Sequence, residues 1–165
     1  MIKHIDKNIN KYLGNIHAHS TRSDGESTVE ALVNGYKQQG YHFLALSDHR
    51  RVYGKKDYDT DDFILIPAME MDTWVQPNTN HKFFHFGVIG GLEHDYQVET
   101  PIFQDYIASM APYETYNNHL RIVNHPNWSR MEMRDLEYIK PDIIEIYNHS
   151  AEVKNGCGFD LNTWD

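Results

Sequence analysis

Six mostly apolar runs divide the chain and predict six strands. In chain order, the runs are residues 12–16, 42–46, 63–69, 83–89, 120–123 and 143–147. Short apolar runs bounded by polar or glycine-containing stretches are typical of buried strands. The first two runs enclose a helical pattern, and a strand, a helix and a second strand in this order form a βαβ unit. The pattern therefore predicts an α/β fold with a parallel sheet.

A helix between the first two runs is predicted from apolar side chains that recur on one helical face. These side chains are Val29, Leu32, Val33 and Tyr36. Ser27 and Glu30 have the spacing of a capping box, and Gly40 is placed to end the helix. Further helices are predicted over 100–119 and 130–139, and loops over 50–62, 72–82 and 156–159.

Side chains that can bind metals recur where the predicted strands end. They are His17, His19, Asp48, His49, Glu70 and His125. The carboxyl ends of parallel strands meet at one edge of a sheet, so we expect these side chains to converge. His85 fits this pattern less well, because it lies inside the fourth predicted strand. Each residue alone also has an ordinary interpretation as a turn, cap or surface residue; only their recurrence favours a site.

The most informative stretch is residues 15–26, which carries two histidines at i and i+2 and then an Asp-Gly turn. On a strand, His17 and His19 would point to the same side, and the Asp24 carboxylate could reach back to them. Imidazole and carboxylate together suit zinc, manganese or iron. A His-x-His sequence also occurs on exposed strands and Asp-Gly is a common turn, so this stretch alone leaves metal binding open.

Composition narrows the class of protein. The 165 residues suit one domain, and the formal net charge of −9 argues against sequence-independent nucleic-acid binding. Cys157 is the single cysteine, which excludes an internal disulfide and fits a reducing compartment. No apolar run approaches the roughly 20 residues of a membrane helix, and residues 1–6 have no signal-peptide character. We therefore expect a soluble, cytoplasmic protein that does not bind a membrane.

The motifs resemble those of the PHP (polymerase and histidinol phosphatase) family over residues 12–148. In chain order they are His17-Ala18-His19, Ser23-Asp24-Gly25, Leu46-Ser47-Asp48-His49, Ala68-Met69-Glu70, His85-Phe86-Gly87 and Asn124-His125-Pro126. The resemblance implies a distorted, seven-stranded β/α barrel with a trinuclear metal centre and, usually, phosphoesterase activity. Up to three divalent ions, zinc, manganese or iron, would be the cofactors.

The resemblance also implies a role for each matching residue. The first ion would be held by His17 and His19, the second by His85 and His125 with Glu70 as a bridge to the first, and the third by Asp24 and His49. Glu70 and Asp48 would take part in catalysis, with Asp48 orienting a ligand or capping a loop. Arg22 and Arg50 could hold the phosphate by paired hydrogen bonds, or be solvated loop arginines. The histidines that match no motif are expected to be structural or surface residues; they are His4, His42, His81, His94, His119 and His149.

One family motif is missing. The family closes with a late Asp-x-His on its last strand, and no Asp-x-His follows His125. We therefore expect residues 1–165 to be a single, C-terminally truncated PHP domain with about six strands, in which the first and third ions each lack one ligand. The barrel would then have an open sheet edge, through which the protein could form oligomers.

These observations lead to one main hypothesis of function and two alternatives. The main hypothesis is a metal-dependent hydrolase that cleaves a phosphoester of a small phosphorylated metabolite or nucleotide through a metal-bridged hydroxide. The alternatives are a hydrolase of carbon esters, carbamates or amides on the same fold, and a catalytically weak metal-binding remnant. A role in DNA processing is disfavoured by the acidic composition.

Overall fold

The computed structural model describes residues 10–74, 83–91, 95–97 and 119–160. The strands are β1 (Gly14–Ala18), β2 (Phe43–Leu46), β3 (Arg51–Val52), β4 (Ile64–Trp74), β5 (Phe83–Ile89), β6 (Tyr96–Gln97), β7 (Leu120–Val123) and β8 (Ile143–Ile144). The helices are α1 (Val29–Gln38), α2 (Met133–Ile139) and α3 (His149–Asn155). None of the helices within these ranges has the length and apolar character needed to cross a membrane.

Six strands form one curled sheet, a half-barrel, with the order β1-β2-β4-β5-β7-β8. This confirms the predicted α/β class and the predicted number of about six strands. The sheet is mixed, however, because β5 runs antiparallel to both β4 and β7. The prediction of a parallel sheet is therefore correct only for β1, β2 and β4 and for β7 with β8. Only residues 75–82 separate β4 from β5, which is too few for the crossover that a parallel neighbour needs.

The reversed direction of β5 explains why His85 lies inside a strand and still reaches the site. In the β4–β5 ladder, His85 pairs with Asp72, and Gly87 pairs with Glu70. The first half of β5 therefore lies beside the second half of β4. His85 occupies the same edge of the sheet as the residues that follow β1 and β2.

Helix α1 packs on the outer face of the sheet. Thr28, and not Ser27 as predicted, is its N-cap, because the Thr28 side chain accepts a hydrogen bond from Ala31 N. Val29 and Val33 are buried in a cluster with Leu44, Leu46 and Leu65. Gly40 has a φ of 77° and ends the helical segment, as predicted, because glycine adopts this conformation without steric cost.

The inner face of the sheet carries apolar side chains, followed along the strands by polar side chains at the edge that holds the histidine cluster. The buried apolar side chains are Ala45, Ala68, Ile89 and Ile122. Ala68 precedes Glu70 by two residues, and Ile122 precedes Asn124 by two, so side-chain alternation places each pair on one face. The apolar layer therefore forms a packed floor beneath the polar residues.

Several predicted boundaries differ from the structure. Strand β1 extends to Ala18, strand β4 extends through Glu70 to Trp74, and β8 has only two residues of the predicted 143–147 run. Residues 51–52 form a short strand inside the predicted 50–62 loop, and helix α3 was not predicted. The predicted helix over 100–119 lies almost entirely outside the described residues, as does most of the predicted loop over 72–82.

Candidate metal centre

The end of β1 places two imidazoles at the middle of the cluster. His17 is the penultimate residue of β1, and His19 follows the strand. Their Nε2 atoms are 3.1 Å apart, so the two side chains converge as the i, i+2 spacing predicts. The β1–β2 register shifts between Asn15 and Ala18, which marks an irregular strand end at these histidines.

Glu70 is the residue that all five motif histidines share. Its side chain is 1% exposed. The nitrogen atoms nearest to Oε2 are His17 Nε2 at 3.4 Å, His19 Nε2 at 3.1 Å and His49 Nδ1 at 3.5 Å; those nearest to Oε1 are His85 Nδ1 at 3.1 Å and His125 Nε2 at 3.4 Å. Asn124 Nδ2 also donates to Oε1 at 2.7 Å. The two oxygens therefore face two different groups of imidazoles, which is the geometry of a bridging carboxylate.

His85 and His125 form the side of the cluster that faces Glu70 Oε1. Their ring centroids are 4.8 Å apart, and Trp128 packs against both at 5.1 and 5.0 Å. His125 has a φ of 30°, a backbone conformation that non-glycine residues adopt at an energetic cost. The chain thus turns sharply after β7 and returns the imidazole to the sheet edge.

Asp24 and His49 form a third side of the cluster. Asp24 Oδ1 is 3.5 Å from His19 Nδ1, and Asp24 Oδ2 is 3.6 Å from His49 Nε2. The rings of His19 and His49 are stacked with centroids 4.6 Å apart. Asp24 remains largely exposed, so this side opens toward solvent.

Asp48 supports the loop that carries Asp24 and does not face the cluster. The buried Asp48 carboxylate accepts hydrogen bonds from Ser20 N at 2.6 Å, Ser20 Oγ at 2.7 Å and Ser23 Oγ at 2.8 Å. A Cβ on Gly25 would lie 2.2 Å from His19 O, so the loop also needs glycine there. This geometry supports the predicted loop-capping role for Asp48 and assigns it no direct contact with a substrate.

Among the described residues, three groups of donor atoms are close enough to hold an ion. They are His17, His19 and Glu70; His19, Asp24 and His49; and His49, Glu70 and His85. Within each group the donor atoms lie within 4.8 Å of one another. The predicted first and third ligand sets are therefore brought together. In the remaining group, His85 is joined by His49, while His125 stands beside the same Glu70 oxygen.

The buried cluster shifts the pKa values of its members. Burial lowers the pKa of His17, but the Glu70 charge and the hydrogen bonds to Glu145 and Glu70 outweigh burial and raise this pKa to about 10. Burial raises the pKa of Glu70, yet the surrounding imidazoles, led by His17, hold it well below its usual value. Burial also lowers the pKa of His85. The lowered pKa favours the ionised form of Glu70, whose negative charge attracts cations into the cluster.

The donor set fits divalent ions. The buried ligand atoms that lack a hydrogen bond in the described part of the chain are His19 Nδ1, His49 Nδ1, His85 Nε2, His125 Nδ1 and Asp72 Oδ1. Buried polar atoms are normally hydrogen-bonded, and bound ions would satisfy several of these at once. Imidazoles with carboxylates are the ligands that zinc, manganese and iron take.

Three site residues were not predicted from the sequence. Glu145 Oε1 accepts from His17 Nδ1 at 3.1 Å, Asp72 Oδ1 is 3.5 Å from His49 Nδ1, and Asn124 Nδ2 binds Glu70. Asp72 shares the inner face of β4 with Glu70, and Glu145 is the one charged residue within the apolar 143–147 run. Asp72 was missed because the predicted third strand ended at Met69, whereas β4 continues to Trp74. Glu145 was missed although it interrupts an apolar run.

The two predicted phosphate-binding arginines are engaged elsewhere. Arg50 Nη1 donates to Asp72 Oδ2 at 2.8 Å. Arg22 Nη2 is 3.5 Å from Asp95 Oδ2, and its guanidinium lies 5.0 Å from the centre of the Tyr53 ring. Neither arginine lines the cleft beside the cluster. The phosphate-binding role of Arg22 and Arg50 therefore stays a prediction.

The cluster lies at the base of a cleft of about 650 Å³. Other lining residues come from α1, the residues after β8 and α3; they include Leu32, Tyr36, Tyr147, His149, Ser150 and Lys154. His149 was predicted to be a structural or surface residue; it is exposed and lines this cleft. A cleft that joins a polar base to apolar and aromatic walls is typical of a small-molecule site.

The sequence comparisons agree with this geometry. The family model of the PHP domain matches residues 15–160. A stretch of 82 residues is 28% identical to the DNA polymerase/3'-5' exonuclease PolX of Bacillus subtilis (strain 168), and this stretch is 50% of the chain but only 14% of PolX. Since the family match covers most of the sequence and includes every residue of the cluster, the chain belongs to the PHP domain family.

Proposed function

We propose that the protein is a metal-dependent phosphoesterase that hydrolyses a small phosphorylated metabolite or nucleotide in the cytoplasm. The observation that carries the proposal is the buried Glu70 carboxylate, whose two oxygens lie within 3.5 Å of nitrogen atoms from five histidines. PHP domains are generally metal-dependent hydrolases, and a phosphoester is the substrate that this donor set suits best.

Up to three zinc, manganese or iron ions would be held here. The residues that would hold them are His17, His19, Asp24, His49, Glu70, His85 and His125. When bound, such ions supply a hydroxide nucleophile near neutral pH and neutralise charge on the phosphoryl oxygens. Trp128 closes one side of the His85–His125 pair and so limits the access of water there.

Lys154 is our candidate for the cation that holds the anionic part of the substrate. Within the described ranges, it is the one lysine or arginine side chain that lines the cleft. It lies on α3 and lines the same cleft as the ligand residues, so a substrate in the cleft would be able to contact both. The expected effect of Lys154→Ala is a higher KM with a smaller change in kcat, because Lys154 would bind ground state and transition state alike.

A small substrate is preferred to a nucleic acid for two reasons. The cleft of about 650 Å³ lies in the range of roughly 300–1,000 Å³ that small-molecule sites occupy. The formal net charge of −9 opposes binding to a phosphate backbone. The similarity to PolX, whose name includes an exonuclease, makes a DNA phosphodiester the second candidate.

The test is a substrate comparison on chelator-stripped protein reloaded separately with zinc, manganese and iron. The probes are p-nitrophenyl phosphate, p-nitrophenyl acetate and a single-stranded oligonucleotide. The proposal expects metal-dependent release from the phosphate, and little from the other two. Faster cleavage of the acetate would favour a carbon-ester hydrolase, digestion of the oligonucleotide would favour the exonuclease, and inactivity on all three in a fully loaded protein would favour a remnant.

A further inference from the structure

Glu145 forms hydrogen bonds with three residues beside the cluster, His17, His125 and Asn148. Its side chain is 14% exposed. Oε1 accepts from His17 Nδ1 at 3.1 Å, Oε2 accepts from His125 N at 2.7 Å, and Asn148 Nδ2 lies 3.2 Å from both oxygens. Glu145 belongs to none of the three donor groups that could hold an ion. Any effect of Glu145 on a bound ion is therefore exerted through the residues to which it is hydrogen-bonded.

The first effect of Glu145 concerns the His17 ring. An ionised carboxylate only accepts hydrogen bonds, so His17 Nδ1 must carry the proton that it shares with Glu145. His17 Nε2 is then the ligand atom, and it lies 3.4 Å from Glu70 Oε2. A carboxylate behind a metal-binding imidazole fixes the ring's tautomer and orientation and commonly changes metal affinity by about 10–100-fold.

The second effect concerns helix α3, which contributes residues to the lining of the cleft. Asn148 is the N-cap of α3, because its Oδ1 accepts from Ala151 N at 2.8 Å. The same Asn148 side chain donates to Glu145 through Nδ2. Since α3 carries Ser150 and Lys154, Glu145 joins the wall that would meet the substrate to the residues that would hold the ions.

We propose that Glu145 is a positioning residue that orients His17 for metal binding and holds α3 in place over the same centre. The inference rests on the proposed metal-dependent function. Glu145 Oε2 also accepts from the backbone N–H of His125, in the turn that follows β7. One carboxylate thus positions ligand residues from β1 and β7 and a cleft wall from α3.

Two variants separate the two effects. Glu145→Gln keeps the size of the side chain but has one acceptor oxygen, so it cannot accept from both His17 and His125. Asn148→Ser keeps a good N-cap for α3 and removes the amide donor to Glu145. Glu137→Gln, on the exposed face of α2, is the matched control for loss of a charge. Circular dichroism of all three variants is the control for correct folding.

Metal affinity, measured by competition with a chromophoric chelator, is the first readout. Glu145→Gln should weaken zinc binding about 10–100-fold, whereas Asn148→Ser and Glu137→Gln should bind zinc as the wild type does. On p-nitrophenyl phosphate, Asn148→Ser should raise KM at full metal loading. The second readout is proton NMR of the zinc-loaded protein, where Glu145→Gln should lose or shift an exchange-protected imidazole N–H signal assigned to His17.

Three results would contradict this inference or the proposed function on which it rests. Wild-type zinc affinity and an unchanged His17 N–H signal in Glu145→Gln would overturn the role of Glu145 and leave the proposed function intact. An unchanged KM in Asn148→Ser would overturn the connection to α3. A wild-type chain that binds no zinc would contradict the proposed function itself.

Discussion

At the scale of single residues, the charge of Glu70 organises the site. A carboxylate that is 1% exposed is tolerated only when it is paired and hydrogen-bonded. The five surrounding imidazoles and Asn124 supply that pairing, and bound ions would strengthen it. The sequence predicted Glu70 and four of the histidines because each lies at or near the end of an apolar run, and it predicted His85 through the resemblance of His85-Phe86-Gly87 to a family motif. It could not predict which oxygen each histidine faces, since this depends on strand register.

Replacing Glu70 tests the bridge directly. Glu70→Gln retains the shape of the side chain but removes the negative charge, so the cluster loses the group that attracts cations. We expect at least one ion fewer per chain and a fall in phosphoesterase activity of at least the roughly 10–100-fold that follows loss of a residue supporting a metal ligand. Elemental analysis and steady-state kinetics measure the two effects. Normal metal content in Glu70→Gln would argue against a bridging role, and Glu137→Gln serves again as the control.

The raised pKa of His17 predicts how the metal-free protein responds to pH. With a folded-state pKa of about 10 against 6.5 for the ordinary side chain, the His17 proton stabilises the folded state fully below pH 6.5. That contribution is lost as the pH rises toward 10. We therefore expect the melting temperature of the metal-free protein to fall between pH 7 and pH 10.

Zinc-loaded protein is the control for this pH effect. An ion at His17 Nε2 would replace the proton there, so the melting temperature of the loaded protein should decrease much less over the same pH range. Thermal melts followed by circular dichroism at four pH values measure both. A melting temperature of the metal-free protein that stays constant or rises would contradict the assigned pKa.

At the scale of elements, strand direction decides how the ligands meet. Alternation and apolar runs identified the strands, and the bounds of β5 and β7 were predicted correctly. The antiparallel direction of β5 was missed, because an apolar run has the same appearance in either direction. Helix α3 was missed as well, since seven residues carry too little periodicity to show against loop composition.

The loop after β1 depends on Asp48. Asp48→Ala removes three hydrogen bonds to Ser20 and Ser23, so the loop should no longer hold Asp24 beside His19 and His49. We expect loss of the ion that these three residues share, with the ions at Glu70 retained. Metal titration would show one fewer site per chain. Ser23→Ala removes one of the three hydrogen bonds and should weaken binding of this ion less. Equal loss of the ion in both variants would contradict the role of Asp48 in holding the loop.

Close packing of β5 against β7 predicts opposite results for two glycines. A Cβ at Gly87 would lie 2.1 Å from Ile122 Cγ2, whereas a Cβ at Gly35 meets nothing within 4 Å. Gly87→Ala should lower the free energy of unfolding by about 1–3 kcal/mol through overpacking. Gly35→Ala, on the exposed face of α1, should raise it by about 0.5–1 kcal/mol. Urea denaturation measures both changes, and a stable Gly87→Ala would show that the strands can separate at no cost.

At the scale of the whole molecule, the predicted architecture and the observed one agree in the features that build the site. The motif order predicted the α/β class, the number of strands and the convergence of ligands. The missing Asp-x-His motif led us to expect incomplete ligand sets, and the structure adds Glu145 and Asp72, two carboxylates that the motifs did not reveal. These two lie in or near strands whose ends were misjudged, so their inward orientation depended on information that only the fold supplies.

The metal content of each chain, measured by elemental mass spectrometry on protein purified without chelators, distinguishes a metal centre from a cluster of protonated imidazoles. Three groups of donor atoms among the described residues share the cluster, so we expect close to three ions per chain at saturation with zinc, manganese or iron. Binding of one ion or none at saturation would mean that the imidazoles around Glu70 are a protonated structural cluster. That result would contradict the proposed metal-dependent function.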